Sequence, residues 1–191
     1  MELRDRKILV TGGGGFVGSH LIERLVADGN EVVVVDDLSN GEKSHLPDAV
    51  ELVQADLSQP GIADSLVDPS FDGIFHLAAR KDPNDDDPRG QFEANTTMTH
   101  ALLEAAKTAG VTNFAYTSSS TVYGEAPRPT PEDYAPLEPI SVYGASKLAD
   151  EGLLSTYAHS HDFTVWNFRF ANVVGPRLRG AVIPDFIEKL R

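Results

Sequence analysis

Residues 7–20 read KILVTGGGGFVGSH, an apolar run of strand length followed by four consecutive glycines and the start of a helical pattern. Glycines at such a junction permit a tight turn and let the backbone approach a pyrophosphate that a Cβ atom would keep away. A helix beginning near Gly15 points its N–H groups and the positive end of its dipole at the phosphates. The run satisfies both Gly13-x-Gly15-x-x-Gly18 and Gly12-x-x-Gly15-x-x-Gly18, and no Gly-Lys-Ser/Thr follows, so it is not a P-loop.

Asp36 ends the next predicted strand, 18 residues after Gly18. A carboxylate at this place can accept hydrogen bonds from the hydroxyls of an adenosine ribose. It would repel a 2′-phosphate, which favours NAD over NADP as the cofactor. The alternative is a structural glycine turn in which Asp36 only caps a loop.

Apolar runs of strand length alternate with helical patterns along the whole chain. Val32–Val35 is a β-branched run typical of a strand that is buried on both faces. This alternation predicts an α/β fold, a Rossmann-type doubly wound parallel sheet with helices on both faces. Gly29 and Asn30 are expected to end the first helix. The predicted strands are Lys7–Val10, Glu31–Asp36, Val50–Gln54, Gly73–Leu77, Asn113–Ser118 and Thr164–Arg169, and the predicted helices are Gly15–Asp28, Gly61–Leu66, Pro88–Ala109 and Ser141–Ser160.

Two segments are predicted loops, residues 81–88 and the five-proline stretch Ala126–Pro139. The adjacent aspartates Asp85–Asp87 are interpreted as a solvated charge run, with a cation site as the alternative. The last residues, Asp185–Arg191, look like the first turns of a helix that has no cap. We therefore expect residues 1–180 to form a nucleotide-binding domain, and residues 181–191 to begin a further lobe of a longer parent chain.

The composition limits the class of protein and its partners. A chain of 191 residues suits one α/β domain, and a net charge of −13 disfavours nucleic acid and anionic membranes as partners. The chain has no cysteine, which excludes disulfides and thiolate chemistry. It has no apolar segment long enough to predict a membrane span, and we expect a cytoplasmic enzyme. Seventeen Asp and twelve Glu against six Lys suggest a halophilic source or an unusually acidic mesophilic protein. The six histidines form no convincing metal site, and His159 and His161 are expected on the surface.

Tyr143 and Lys147 stand four positions apart in a predicted helix. They therefore project from one face, about 6 Å apart along the axis. An ammonium near a phenol lowers the pKa of the phenol, so Tyr143 is expected to act as a base near neutral pH. Residues 116–124, YTSSSTVYG, end the preceding strand and place hydroxyls where ligands of parallel sheets bind. An ordinary amphipathic helix and a Ser/Thr-rich turn are the structural alternatives.

These motifs together resemble the extended short-chain dehydrogenase/reductases. Within them, the sequence is most similar to NAD-dependent nucleotide-sugar epimerases of the UDP-glucose 4-epimerase kind, and the resemblance covers nearly the whole chain. It also implies that the chain stops where the substrate-binding lobe of such enzymes develops. The segments that carry the resemblance are Thr11–Gly18, Asp36, His76–Ala79, Ser118–Gly124, Tyr143–Lys147 and Arg169–Pro176.

The resemblance implies a role for each matching residue. The cofactor NAD would be bound by Gly12, Gly15, Phe16, Val17 and Gly18 at the pyrophosphate, by Asp36, Asp37, Asn40 and Gly41 at the adenosine, by Asp56 and Leu57 at the adenine, and by Leu77, Ala78 and Ala79 along its middle. Asn95 would support the active-site backbone. Tyr143 would be the base, Lys147 would bind the nicotinamide ribose, and Ser119 would hydrogen-bond the sugar. Ser120 and Asn172 would contact the nucleotide-sugar substrate.

Ser120 and Thr121 stand where related dehydratases place an Asp-Glu pair, and a Glu that decarboxylating relatives tend to use is absent. The expected reaction is therefore reversible oxidation of a UDP-hexose at C4 through a transient 4-keto sugar. Two alternatives stay open: a short-chain oxidoreductase with net NAD-linked turnover, and a non-catalytic NAD-binding module. The resemblance also implies a homodimer that pairs the helices Pro88–Ala109 and Ser141–Ser160 across a two-fold axis.

Overall fold

In the computed structural model, residues 3–81, 86–179, 186, 189 and 190 are described. The strands are β1 Lys7–Thr11, β2 Glu31–Asp36, β3 Glu51–Gln54, β4 Gly73–His76, β5 Asn113–Ser119 and β6 Thr164–Phe170; the helices are α1 Phe16–Ala27, α2 Ile62–Leu66, α3 Pro88–Ala109 and α4 Val142–Ser160. Each predicted element is present, with ends that agree to within one residue. Two short 3-10 helices, Lys43–His45 and Ser120–Tyr123, were not predicted because one turn leaves no periodic pattern.

The six strands form one parallel sheet in the order β3-β2-β1-β4-β5-β6. The chain moves outward from β1 to β3, then returns to place β4 on the other side of β1. Leu9, for example, aligns with Val33 of β2 and with Ile74 of β4. A crevice opens at the carboxyl ends of β1 and β4, where the direction of winding changes. The predicted doubly wound parallel sheet is confirmed.

The valine run of β2 contributes to two separate cores. Val33 and Val35 belong to the larger one, together with side chains of α2, α3 and α4. Val32 and Val34 belong to the other, together with Ile22 of α1. Because successive side chains of a strand point to opposite faces, one β-branched run supplies both. Burying each such side chain contributes about 1.5–3 kcal/mol. Helices therefore cover both faces, as predicted.

The helix ends follow from local chemistry. Gly29, with φ of +86°, donates from its N–H to the Val26 carbonyl and ends α1 as predicted. Asp87 accepts a hydrogen bond from Gly90 N at 2.9 Å and caps α3. This aspartate of the expected charge run is thus a helix cap, whereas residues 82–85 lie outside the described part of the chain. Ser141 caps α4 by accepting from Gly144 N at 3.0 Å.

Two further predictions concern the proline-rich stretch and the C-terminal residues. The proline-rich stretch Ala126–Pro139 contains neither helix nor strand, as predicted. Residues 180–185, 187, 188 and 191 are not described, so the helix start at Asp185–Arg191 and the domain boundary after residue 180 stay predictions. Within the described ranges, no helix is both long and apolar enough to cross a membrane.

Candidate active site

A cleft of about 600 Å³ lies at the carboxyl ends of β1, β4 and β5. It brings together predicted site residues from separate motifs of the sequence. The predicted residues that line it are Gly12, Gly15, Phe16, Val17, Gly18, Leu77, Ala79, Ser119, Tyr143, Lys147 and Asn172. The glycine turn and the Tyr–Lys pair therefore belong to one site.

The glycine turn is packed too tightly for side chains. A Cβ on Gly12, whose φ is +69°, would lie 2.6 Å from Ala78 N, and a Cβ on Gly18 would lie 2.8 Å from Gly13 Cα. Gly15 caps α1 without any side-chain hydrogen bond. The first turn of α1 is consequently open to a ligand, with the positive end of the helix dipole at the cleft. This arrangement fits a pyrophosphate.

Asp36 is buried at the end of β2, and both of its carboxylate oxygens are engaged. Oδ2 accepts from Gly14 N at 2.8 Å, and Oδ1 accepts from Leu38 N at 2.8 Å. Gly41 lies against it, because a Cβ there would be 2.9 Å from Oδ1. Asp36 therefore anchors the glycine turn and the loop after β2, the role that the structural alternative gave it. Each oxygen keeps a second lone pair that can accept from a ribose hydroxyl.

The other residues predicted at the adenosine lie beside Asp36, outside the lining of the cleft. Asp37 accepts from Ser39 N at 2.8 Å, Asn40 is exposed, and Asp56 accepts from Ser58 N at 2.9 Å. Leu57 is only 3% exposed and its side chain packs in the larger core. Burial of the side chain in the core leaves the backbone of Leu57 for such a contact, and its place at the adenine stays a prediction.

Buried hydrogen bonds hold the backbone that follows β4. Ala78 N donates to Thr11 Oγ1 at 3.2 Å, and Thr11 Oγ1 lies 2.6 Å from His76 Nδ1. His76 Nε2 lies 3.2 Å from Thr99 Oγ1, which donates to the Asn95 carbonyl. Because the Thr99 hydroxyl hydrogen is donated to the Asn95 carbonyl, Thr99 Oγ1 can only accept from His76 Nε2–H. His76 Nδ1 is then the unprotonated nitrogen, and it accepts from the Thr11 hydroxyl. Burial lowers the pKa of His76 to about 3, in agreement with this neutral ring.

Asn95 occupies the supporting place expected of it. Its Oδ1 accepts from Arg80 N at 2.7 Å, and its Nδ2 donates to the Arg80 carbonyl at 3.1 Å and to Ser146 Oγ at 3.1 Å. The Ser146 hydroxyl donates in turn to the Tyr143 carbonyl at 2.8 Å. Asn95 thereby joins the segment after β4 to the helix that carries Tyr143 and Lys147.

Lys147 is 2% exposed, and its Nζ donates to the Thr117 carbonyl at 2.9 Å. The ammonium lies 4.5 Å from the centre of the Tyr116 ring and 5.7 Å from the centre of the Tyr143 ring. Burial lowers the pKa of Lys147 to about 8. Burial, and then the charge of Asp150, raises the pKa of Tyr143. The expectation of a lowered Tyr143 pKa is therefore wrong for the chain alone, because desolvation outweighs the ammonium.

The serines at the end of β5 point in different directions. Ser119 lines the cleft, and its Oγ accepts from Thr121 N at 3.2 Å. The Ser118 hydroxyl donates to Glu151 Oε1 at 2.5 Å. Ser120 does not line the cleft with Tyr143 but faces a neighbouring cavity of about 1310 Å³. A 3-10 helix begins at Ser120 and turns the chain away, and the expected contact of Ser120 with the substrate stays a prediction.

Several residues of the cleft were missed. Lys81 Nζ lies 5.8 Å from the centre of the Tyr143 ring, on a segment that the sequence analysis treated as a polar loop. Val173, Val174 and Leu178 close the cleft from the segment after β6. Ion pairs tie this segment back to distant elements, Arg177 to Glu23 and Arg179 to Glu42. No local pattern could have indicated contacts over such sequence distances.

Comparison with known proteins agrees with this geometry. Residues 8–191 match the NAD dependent epimerase/dehydratase family. The chain belongs to this family. The UDP-glucose 4-epimerase of Mycolicibacterium smegmatis is 41% identical over 180 residues, which are 90% of this chain and 57% of that protein.

Two solved structures show the same fold. A crystal structure of a UDP-galactose 4-epimerase has a TM-score of 0.89 and 45% identity over 96% of this chain and 62% of that one. The UDP-glucose 4-epimerase of Thermus thermophilus, in complex with NAD, has a TM-score of 0.83 and 36% identity over 90% of this chain and 57% of that one. The chain thus spans less than two thirds of the length of each of these relatives.

Proposed function

We propose that this chain supplies the cofactor-binding and catalytic part of an NAD-dependent nucleotide-sugar epimerase. The reaction is the reversible inversion of a UDP-hexose at C4 through a transient 4-keto sugar. The observation that carries the proposal is that Ser119, Tyr143 and Lys147 line the same cleft as the glycine turn. The names of the relatives support the substrate class. On this proposal residues 1–180 form the NAD-binding domain, and residues 181–191 begin a substrate-binding lobe.

The residues present fit NAD. A Cβ at Gly12 or Gly18 would clash with the neighbouring backbone, and Gly15 begins α1 without a side-chain cap. These three glycines therefore leave the space and the free helix end that a pyrophosphate needs. Asp36 offers a buried carboxylate to the adenosine ribose and disfavours a 2′-phosphate. Lys147 would donate to the nicotinamide ribose. When bound, NAD supplies the hydride acceptor and donor of the reaction.

The protein's own groups move the proton and orient the sugar. The Tyr143 phenolate accepts the proton of the C4 hydroxyl and later returns it. Ser119 uses its oxygen to accept from Thr121 N and Thr121 Oγ1, so its hydroxyl hydrogen is left to donate to the sugar. Because the ammonium of Lys147 now lies on the Thr117 carbonyl, the proposal requires it to turn toward the phenol when the site is filled.

The test is a calorimetric titration of the chain with NAD, followed in the same cell by UDP-glucose, with UDP-galactose formation assayed in the whole protein. We expect saturable NAD binding and epimerisation without net NADH. Release of NADH on adding the sugar nucleotide would favour the oxidoreductase alternative. NAD binding without turnover in the whole protein would favour the non-catalytic module. A folded, cofactor-free sample that does not bind NAD contradicts the proposal.

We also propose a cytoplasmic homodimer and a saline habitat. The dimer rests on the family resemblance, which pairs α3 and α4 across a two-fold axis; here the two helices pack side by side, and residues on them such as His100 and Thr156 are exposed and could be covered by a second copy. Sedimentation equilibrium of the whole protein tests it. The acidic, lysine-poor composition supports the habitat, because salt screens the repulsion among 29 carboxylates. A melting temperature that does not rise with molar KCl contradicts it.

A further inference from the structure

Asp150 lies one turn beyond Lys147 on the face of α4 that carries the Tyr–Lys pair. Positions 143, 147 and 150 have the helical spacing that aligns side chains along one stripe. Asp150 is only 1% exposed. A carboxylate this deeply buried is rare unless a partner or a function holds it there, because losing its hydration is costly.

Tyr116 connects Asp150 to Lys147. Its hydroxyl donates to Asp150 Oδ2 at 2.5 Å, while the Lys147 ammonium lies 4.5 Å from the centre of its ring. The ring attracts the cation on one side, and the hydroxyl stabilises the anion on the other. The second oxygen of Asp150, Oδ1, is buried, and the Thr99 hydroxyl is a further neighbour of the carboxylate that favours its charged form. Asp150 therefore reaches Lys147 through the Tyr116 ring and through its charge.

The neighbouring titratable groups leave Asp150 as the counter-charge of Lys147. From β4, His76 is neutral. From α4, Glu151 is already paired with Arg169, whose Nη2 lies 2.7 Å from Oε2. Tyr143 of α4 and Tyr116 of β5 are phenols whose pKa values burial raises, so both are uncharged near neutral pH.

We propose that Asp150, held by Tyr116, is a positioning residue that keeps the buried side chain of Lys147 protonated and so sets the upper pH limit of cofactor binding. The proposal rests on the proposed role of Lys147 as a ligand of the NAD ribose. A buried ammonium loses its hydration, which favours the neutral amine, and a nearby anion in low dielectric restores the charge. A neutral Lys147 would donate fewer hydrogen bonds and could not stabilise the phenolate of Tyr143.

The directions of the pKa shifts agree with this geometry. Burial lowers the pKa of Lys147 to about 8, and the charge of Asp150 opposes that fall. Burial raises the pKa of Asp150 to about 6, and the Tyr116 hydroxyl, the charge of Lys147 and the Thr99 hydroxyl oppose that rise. Both charges are therefore present between pH about 6 and about 8, which is the range in which the site would work.

The first test observes Lys147 directly and needs no cofactor. The chain has six lysines, so ε-carbon-labelled lysine gives few NMR signals. The signal that is missing in Lys147→Arg is the signal of Lys147. In Asp150→Asn we expect the titration midpoint of Lys147 to fall by about one pH unit. Asp64→Asn, which removes an equal charge from an exposed position on α2, leaves it unchanged. An unchanged midpoint in Asp150→Asn overturns the proposal.

Tyr116→Phe is a second variant that tests the effect of Asp150 on Lys147 if Asp150→Asn does not fold. It preserves the ring beneath Lys147 but removes the donor to Asp150, so we expect a smaller shift in the same direction. No shift of the Lys147 midpoint in a folded Tyr116→Phe variant, together with a misfolded Asp150→Asn, overturns the proposal. Thermal melting of each variant establishes whether it is folded.

The second test measures NAD affinity against pH. With a midpoint lowered by one pH unit, Asp150→Asn binds NAD about fivefold more weakly at pH 8 and within twofold of wild type at pH 6.5. A loss that is equal at both pH values means a merely structural role and overturns the proposal. If the wild-type chain does not bind NAD but the Lys147 midpoint shifts as expected, the proposed function fails, whereas the control of Lys147 by Asp150 stands.

Discussion

Lys147 donates from Nζ to the main-chain oxygen of Thr117 at 2.9 Å, so β5 and not the Tyr143 phenol holds the buried ammonium. Two residues of one helical motif are thereby brought to one cleft without being bonded to each other. Burial is the main cause that raises the pKa of Tyr143 in this arrangement.

Removing the phenolic oxygen tests the role of Tyr143. Tyr143→Phe in the whole protein should lower epimerisation about 10²–10⁴-fold, the contribution of a positioned acid–base group, while NAD affinity changes little. Steady-state rates and calorimetry measure the two effects. Tyr134→Phe, in the proline-rich loop, is the control and should leave both unchanged. Equal losses of rate and NAD affinity in Tyr143→Phe would argue that the residue is structural.

Two glycine-to-alanine changes should have opposite effects on stability. A Cβ on Gly18 would meet the backbone of Gly12 and Gly13, so Gly18→Ala should lower the free energy of unfolding by about 1–3 kcal/mol and weaken NAD binding. Gly152 lies inside α4 with nothing within 4 Å of its added Cβ, so Gly152→Ala should raise the free energy of unfolding by about 0.5–1 kcal/mol. Denaturant titrations measure both. Equal stability of the two variants would contradict the tight packing of the turn.

Asp36 should decide which nicotinamide cofactor binds. Asp36→Asn places an amide N–H₂ against the backbone N–H of Gly14 or Leu38 and removes the charge that repels a 2′-phosphate. A hydrogen bond to a charged group is worth about 1.5–3 kcal/mol, so NAD affinity should fall about tenfold or more. The ratio of NAD to NADP dissociation constants is the measurement. Asp48→Asn, at an exposed position, should leave that ratio unchanged, and an unchanged ratio in Asp36→Asn would refute this assignment.

The ion pair between Glu151 and Arg169 should stabilise the fold. The Glu151 side chain is 8% exposed and that of Arg169 is 23% exposed, and Glu151 Oε1 also accepts a hydrogen bond from the Ser118 hydroxyl. Glu151→Gln would leave Arg169 partly buried without its anion, so the free energy of unfolding should fall by about 2 kcal/mol, less than for a fully buried pair. Glu93→Gln breaks an exposed pair with Arg89 and should have no measurable effect. Similar effects of the two changes would show that burial adds nothing here.

Much of the fold could be predicted because the signals are local. The valines of β2, Val32–Val35, indicate a strand buried on both faces from their composition alone, and the structure places two in each core. The glycines at positions 12–15 and 18 likewise predict a tight turn before a helix, since at Gly12 and Gly18 only a residue without a Cβ allows the observed approach. Tyr143 and Lys147 share a face because helical spacing is fixed by geometry. The roles of these residues came from resemblance.

The surroundings of those residues were decided only by the tertiary structure. Tyr116 and Asp150 are 34 positions apart and meet because α4 packs on β5. Arg177 and Glu23, which form an ion pair between the segment after β6 and α1, are 154 positions apart. The protonation of a buried group depends on every charge and dipole near it in space and on how far water is excluded. Sequence spacing therefore determined which side chains share a helix face, a strand face or a turn. The packing of distant elements determined that the pKa of Tyr143 is raised, that Lys147 donates to the Thr117 carbonyl, and that Asp150 is buried near Lys147.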